Sequence, residues 1–161
     1  MIKTPKLKKI KGYPWHEVKQ STLHGTGVFA LKDIPAGTRI MEYGGKRITA
    51  EQADALFPVN PDDPFHTFFF SLQNGNVIDG GQAGNDARWI NHSCNPNCET
   101  QESKKGKRVF IYALRDIQKG EELFYDYCLS IEGRLTQKRK QEYRCLCGSH
   151  QCRGTMLALK K

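Results

Sequence analysis

Apolar positions along the chain come in short runs, rich in aromatic and branched side chains and cut off by Gly, Pro, Asn or Asp. They span Thr38 to Tyr43, Phe68 to Leu72, Val77 to Ile78 and Val109 to Leu114. Runs of this length and make-up predict strands. Helical signals are fewer. Thr49 to Gln52 (TAEQ) reads as a capping box opening a helix through Ala53 to Leu56, which Pro58 closes. A weaker helix is expected within the basic stretch from Arg134 to Glu142, and Asn60 to Pro64 reads as an irregular loop. Several short strands with one or two helices predict a mostly β fold. There is no internal repeat and no low-complexity tract, which excludes a solenoid or a linker.

Composition narrows the class. A chain of 161 residues is one domain's worth, long enough to bury roughly 68–70% of its unfolded surface and to fold without disulfides. No apolar run approaches the roughly 18 residues that cross a bilayer, and no apolar stretch follows the N-terminal lysines as in a secretory signal. The expectation is a soluble intracellular protein without a membrane partner. The formal charge of +8 invites an acidic partner, but its placement weakens that reading. Five lysines in residues 1–11 together with Lys160 and Lys161 account for seven of the eight excess charges. The smaller clusters Lys104, Lys105, Lys107, Arg108 and Arg134, Lys138, Arg139, Lys140 read first as solvated surface and second as attraction for DNA or a nucleosome.

Residues 25–30 (GTGVFA) match the dinucleotide-binding glycine pattern, but its context is missing. The preceding HEVKQSTLH is not a buried parallel strand, and Pro35 and Gly37 arrive too early for a crossover helix. The expectation is a turn whose glycines let backbone approach a ligand closely. At the other end, Cys145, Cys147 and Cys152 bring three thiols within eight residues, which suits one tetrahedral zinc. A closed site needs a fourth ligand, and Cys94, Cys98, Cys128 and His150 compete for it.

Between these lies a polar knot, Arg88 to Cys98 (RWINHSCNPNC), whose Asn, His and Ser side chains favour local hydrogen bonds. In order, the chain carries His24 to Gly27 (HGTG), Glu42 with Tyr43, Arg88 to Asn97, Gly120 to Tyr127 (GEELFYDY) and the Cys145, Cys147, Cys152 cluster. In this order and spacing, over roughly residues 15–157, it resembles the SET-domain protein lysine methyltransferases, in particular the trithorax-like branch with its post-SET cysteine motif. No cysteine-rich stretch stands ahead of residue 15.

The resemblance implies a SET fold of small sheets in which a C-terminal segment threads beneath a loop as a pseudoknot, closed by a post-SET zinc site. It divides the chain into a basic tail (1–14), a SET domain (15–130), a basic connector (131–144) and a post-SET segment (145–161). It implies S-adenosylmethionine as cofactor, met by His24, Gly25, Thr26 and Gly27 from the glycine turn, by Asn91 and His92 from the knot, by Phe68, and by Leu146 at the adenine. Phe68 stands where a tyrosine is common in this branch, and Thr26 where an arginine is common. Cys94 would complete a zinc site with Cys145, Cys147 and Cys152. Tyr127 matches the catalytic tyrosine, Tyr43 lines the same centre, and Tyr125 holds the position that sets how many methyl groups are added, a tyrosine there favouring one. The expected substrate is an exposed lysine of a protein, with a histone tail foremost, and the basic tails are expected to touch nucleosomal DNA. The alternatives are a non-histone target, a catalytically weak peptide-binding module on the same fold, and a basic nucleic-acid binder with a structural zinc.

Overall fold

The computed structural model describes residues 14–21, 25–56, 68–128, 134, 136–145, 147 and 149–157. The N-terminal lysines, Lys160, Lys161, Pro58 and the 60–64 stretch lie outside them. In chain order the strands are β1 (His16–Gln20), β2 (Thr26–Ala30), β3 (Arg39–Glu42), β4 (Lys46–Ile48), β5 (Phe69–Ser71), β6 (Val77–Asp79), β7 (Asn91–His92), β8 (Cys98–Glu102), β9 (Val109–Ala113) and β10 (Phe124–Tyr125). Helix α1 (Ala50–Leu56) follows β4, a 3-10 turn (Asp86–Trp89) precedes β7, and helix α2 (Gln137–Glu142) follows β10. The mostly β expectation is borne out, with strand ends shifted by a residue or so: β3, β5 and β9 are shorter than expected and β6 runs one residue further, to Asp79.

Both helix signals act as read. Gln52 N–H donates to the Thr49 hydroxyl at 3.1 Å while Thr49 N–H donates to the Gln52 side chain at 2.9 Å, a reciprocal capping box. α2 starts later than expected, because Thr136 caps it by accepting the Arg139 N–H. The 25–30 stretch departs from the expected turn. Only Gly25 turns, at φ +50°, and the next five residues form β2, antiparallel to β1 from His16↔Ala30 to Gln20↔Thr26. β1 was invisible as a strand because its residues are mostly polar and at least partly exposed. β8 hides likewise, its CETQE having one buried side chain.

Three antiparallel sheets, β1-β2, β3-β9-β8 and β4-β6-β5, surround the core. β9 shows the alternation that places it: Val109, Ile111 and Ala113 are buried, while Phe110 and Tyr112 face outward, where the Arg39 guanidinium stacks 4.1 Å from the Phe110 ring. Val28, Ile34, Ile40, Ile90, Ile111 and Leu123 are at most 1% exposed. Each such side chain contributes about 1.5–3 kcal/mol of burial.

The pairing that shapes the site is β7 with β10, the one parallel pair among the described residues, with Asn91 opposite Phe124 and His92 opposite Tyr125. Just before it, the chain bonds to β2 on its other side: Ala30 N–H to Glu121 O at 2.8 Å and Leu123 N–H to Val28 O at 2.7 Å. Asn97 clamps the same segment through its amide, donating to Glu122 O and accepting from Phe124 N–H, both at 2.8 Å. Residues 121–125 therefore run between β2 and the 91–97 loop, bonded to both, which is the knot the resemblance implies. No helix among the described residues is long and apolar enough to cross a membrane. Lys104, Lys105, Lys107 and Arg108 are exposed, Arg108 being paired with Glu42 at 2.6 Å.

Candidate active site and thiolate centre

The knot brings the glycine turn against β7. Asn91 donates its amide N–H groups to Thr26 O at 3.1 Å and to Glu122 Oε2 at 3.0 Å, and the Ser21 hydroxyl donates to the same carboxylate at 2.8 Å. Glycine at 27 leaves the carboxylate its place, since a Cβ there would stand 2.6 Å from Glu122 Oε2 and displace it. Glu122, Ser93 and Phe124 border a cleft of about 510 Å³ whose far wall carries Cys147, His150 and Gln151. That volume lies in the range of small-molecule sites.

On the other face of β10 the rings assemble. Tyr43 lies 5.3 Å from Phe70, Phe70 6.4 Å from Tyr125, Tyr125 4.9 Å from Tyr127, and Tyr127 5.3 Å from His92, centroid to centroid. The Tyr127 hydroxyl donates to Ile90 O, and that of Tyr43 to Phe68 O at 2.6 Å. Gly80 leaves room for the second bond, because a Cβ would sit 2.7 Å from the Tyr43 oxygen. Among the described residues the Tyr125 hydroxyl has no hydrogen-bond partner, although its residue is 6% exposed. Burial pushes all three phenols well above their usual pKa, with neighbouring phenols adding to the shift at Tyr125 and Tyr127, Asp79 at Tyr43 and Glu122 at Tyr127. These tyrosines stay protonated at neutral pH.

His92 points into the interior. Its Nδ1 accepts the Tyr127 N–H at 3.0 Å, which puts the ring proton on Nε2, 3.5 Å from Cys94 Sγ. Burial pushes its pKa down to about 4, against the pull of Asp126, so the imidazole is neutral. Beyond it the sulfurs of Cys94, Cys145, Cys147 and Cys152 all lie within 4.8 Å of one another, Cys94 and Cys145 at 3.7 Å. A tetrahedral ion with metal–sulfur bonds of about 2.3 Å would hold sulfurs about 3.8 Å apart, so these four could hold one. The rivals for fourth ligand drop out by position. Cys98 is 1% exposed in the core, its thiol pushed up to about 12 by burial, while Cys128 and His150 are exposed and outside the cluster.

A family model for the SET domain matches residues 25–128. The chain belongs to the SET-domain family. The trithorax histone-lysine N-methyltransferase of Drosophila virilis is 36% identical over 138 residues, covering 84% of this chain and 3% of that protein. Human histone-lysine N-methyltransferase SETD1B is 37% identical over 142 residues, covering 85% and 7%, and the H3 lysine-4 specific enzyme of Saccharomyces cerevisiae 38% over 140 residues, covering 84% and 12%. This SET domain spans a small part of each of those relatives. A solved structure, ctPRC2 in an autoinhibited conformation bound to S-adenosylmethionine, superposes with a TM-score of 0.62 at 30% identity, covering 68% of this chain and 14% of that one.

The SET domain thus brings together Tyr43, Tyr125 and Tyr127, and separately Gly25, Thr26, Gly27 and Asn91, as the motifs imply. His24 and Leu146 lie outside the described residues. Phe68 packs edge-on against Trp89 at 5.2 Å, with the Arg88 guanidinium 4.7 Å from the Trp89 ring, and contributes its carbonyl to the tyrosine cluster. Phe70, Glu122, Asp126 and Arg153 are additions that motif reading did not single out. Arg153, next to Cys152, grips Asp126, next to Tyr127, through two bonds of 2.6 and 2.9 Å, and its remaining N–H groups reach Met156 O and Leu157 O.

That pair ties the thiolate segment to the tyrosines. Burial alone would raise the Asp126 pKa, but Arg153 outweighs it and holds the carboxyl below its usual range. A depressed folded pKa gives stability that is present above the unfolded carboxyl value of about 3.9 and is lost as pH falls through the folded value. Asp126→Asn is therefore expected to lower stability at neutral pH by about 2 kcal/mol and to flatten its loss below about pH 4, read from urea midpoints across pH. An acid profile identical to that of the unsubstituted chain would show that the pair carries no such dependence.

Proposed function

We propose that this SET domain is an S-adenosylmethionine-dependent protein lysine N-methyltransferase, acting on a histone tail and adding mainly one methyl group. The observation that carries the reading is the stacking of two sites on opposite faces of one knot. On one face lies a cleft lined by Glu122, whose carboxylate bonds Asn91 beside the glycine turn; on the other lies the ring wall of Tyr43, Phe70, Tyr125 and Tyr127. The names of the relatives support the activity, and the bound cofactor of the ctPRC2 structure supports the ligand.

The cleft fits the cofactor in size and offers groups of both signs, Glu121 and Glu122 with Arg115, to a ligand that carries both. Gly25, Thr26, Gly27 and Asn91 would hold it, with His92 contributing through its main chain because its ring faces inward. When bound, it supplies a methyl group on a positively charged sulfur. Zinc fits the four thiols, which are soft ligands in tetrahedral spacing, and the His92 Nε2–H toward Cys94 provides the outer-shell donor such sites use.

The substrate amine has to be neutral to attack carbon. With a reference pKa near 10.4, about one lysine in a thousand is neutral near pH 7, a cost of about 4 kcal/mol. The rings of Tyr43, Phe70, Tyr125 and Tyr127 strip water from the ammonium and favour its neutral form. Being phenols, they cannot take the proton themselves, so it leaves to solvent before the amine is enclosed. The carbonyls of Phe68 and Ile90, each holding a tyrosine hydroxyl, place acceptor oxygens at the inner end of the ring wall. Alignment in a fixed, water-poor site then supplies much of the rate.

The test of the target is mass-spectrometric mapping of methyl-lysine on histones and other basic proteins incubated with the chain and S-adenosylmethionine. Methylation of a histone tail lysine is expected. Modification confined to non-histone proteins would move the target there, and salt-steep DNA binding without methylation would favour a nucleic-acid role.

A further inference from the structure

The carboxylate of Glu122 is the least explained charge in the cleft. It is half-buried, accepts from the Ser21 hydroxyl at 2.8 and 3.0 Å and from the Asn91 amide at 3.0 Å, and is shielded from Gly27 by nothing more than the missing Cβ. Its donors are neutral. Glu121, the other acid on the cleft wall, has Arg115, and Asp126 has Arg153. Among the described residues no Lys, Arg or His pairs with Glu122. A partly desolvated carboxylate held by neutral donors keeps a strong demand for positive charge.

We propose that Glu122 is the counter-charge for the α-ammonium group of the cofactor and, by fixing the Asn91 amide, the residue that orients the amino-acid end of the ligand in the cleft. The inference rests on the reading of the cleft as an S-adenosylmethionine site. Three observations carry it. First, Glu122 is one of the residues that line the cleft, together with Ser93 and Phe124. Second, it sits at the glycine turn, the place where backbone approaches most closely, whereas the sulfur end has to lie near the Tyr127 hydroxyl and the carbonyl of Ile90. Third, it takes one hydrogen of the Asn91 amide while Thr26 O takes a bond from the same nitrogen, so the amide cannot flip without losing both. An ammonium placed there would meet the carboxylate as a charge-assisted hydrogen bond, stronger than any bond the neutral amide could make.

Glu122→Gln isolates the charge, because its amide oxygen still accepts from Ser21 and Asn91. The measurement is calorimetric affinity of the full chain for three ligands: S-adenosylmethionine, S-adenosylhomocysteine, which keeps the ammonium and lacks the sulfonium, and the deamino analogue of S-adenosylhomocysteine. The expected result is a loss of roughly 10- to 100-fold for the first two in Glu122→Gln, with the deamino analogue bound within about twofold of its original affinity. Binding of that analogue also shows that the variant is folded. Glu122→Asp, which keeps the charge and draws it back by one carbon, is the second variant and should give a smaller loss with the same ligand dependence. A loss for S-adenosylmethionine alone would assign the charge to the sulfonium and overturn the ammonium pairing. Equal losses for all three ligands, or none, would overturn it as well. If the unsubstituted chain bound none of the three, the cofactor reading itself would fall, an outcome separate from the failure of Glu122 within a working site.

Discussion

Removing zinc is expected to abolish cofactor binding and methyl transfer together. Three of the four sulfurs, those of Cys145, Cys147 and Cys152, belong to the last segment of the chain, and the fourth, Cys94, belongs to the knot. Cys147, His150 and Gln151 of that segment form one wall of the cleft. Without the ion, the wall is tied to the body mainly by the Asp126–Arg153 pair, since backbone bonds such as Cys145 N–H to Gly154 O are internal to the segment. Structural zinc contributes on the order of 10–16 kcal/mol in small zinc-dependent folds, far more than an ion pair that is 20–27% exposed. Chelation, or Cys152→Ser, should therefore cost cofactor affinity as well as turnover, while the strand core, built around Ile40, Ile111 and Leu123, stays folded. Calorimetry and circular dichroism on the same samples separate the two. A metal analysis showing no zinc in the active protein, or full activity in Cys152→Ser, would refute the thiolate assignment.

The second large effect is on product. Tyr125 is 6% exposed, stands 4.9 Å from Tyr127 and 6.4 Å from Phe70, and has no hydrogen-bond partner for its hydroxyl among the described residues. That hydroxyl is not among the fully enclosed polar atoms left without a partner, so it is open to a water in the ring-walled space, which would supply its hydrogen bond. A second methylation needs the monomethyl amine to turn, with its methyl entering the volume of that water. The methyl cannot return the hydrogen bonds that the water made. The unsubstituted chain should therefore give mainly monomethyl-lysine, with slower dimethylation, and Tyr125→Phe should shift the product toward di- and trimethyl-lysine. If Tyr125 were only a packing residue, the substitution would change stability and leave the product ratio alone. Abundant trimethyl-lysine from the unsubstituted chain, in a mass spectrum of a methylated peptide, would also contradict the switch.

What was legible in the sequence was local. The Thr49–Gln52 box and the Cys145, Cys147, Cys152 cluster each act within a few residues, and both appear as read. Cys94, by contrast, could not be told from Cys98, Cys128 or His150 by spacing. The fold decides, by burying Cys98 in β8 and bringing Cys94 to the tail. The strand β1 was missed because its side chains are mostly polar and it is held by backbone pairing with β2 rather than by an apolar face. Phe70 was lost within a run of three phenylalanines, where composition cannot say which ring meets Tyr43. Glu122 and Arg153 were invisible for a further reason. Ser21 and Glu122 are 101 residues apart, Asp126 and Arg153 27 apart, and such pairs exist only once the chain has passed between β2 and the 91–97 loop. The ordered motifs could point to that passage only by resemblance to a family, since general rules of chain connection disfavour it.

The most direct measurement is transfer of a radiolabelled methyl group from S-adenosylmethionine to histones by the unsubstituted chain and by Tyr127→Phe, with cofactor affinity measured on both. Tyr127 lies at the meeting of the two faces, its main-chain N–H on His92 and its hydroxyl on Ile90 O. Robust transfer by the unsubstituted chain, reduced at least about a hundredfold in Tyr127→Phe with cofactor binding retained, is the result expected of a residue that acts on the reacting groups. Tight cofactor binding with no transfer to any protein, or transfer unchanged in Tyr127→Phe, would contradict a methyltransferase built on this tyrosine.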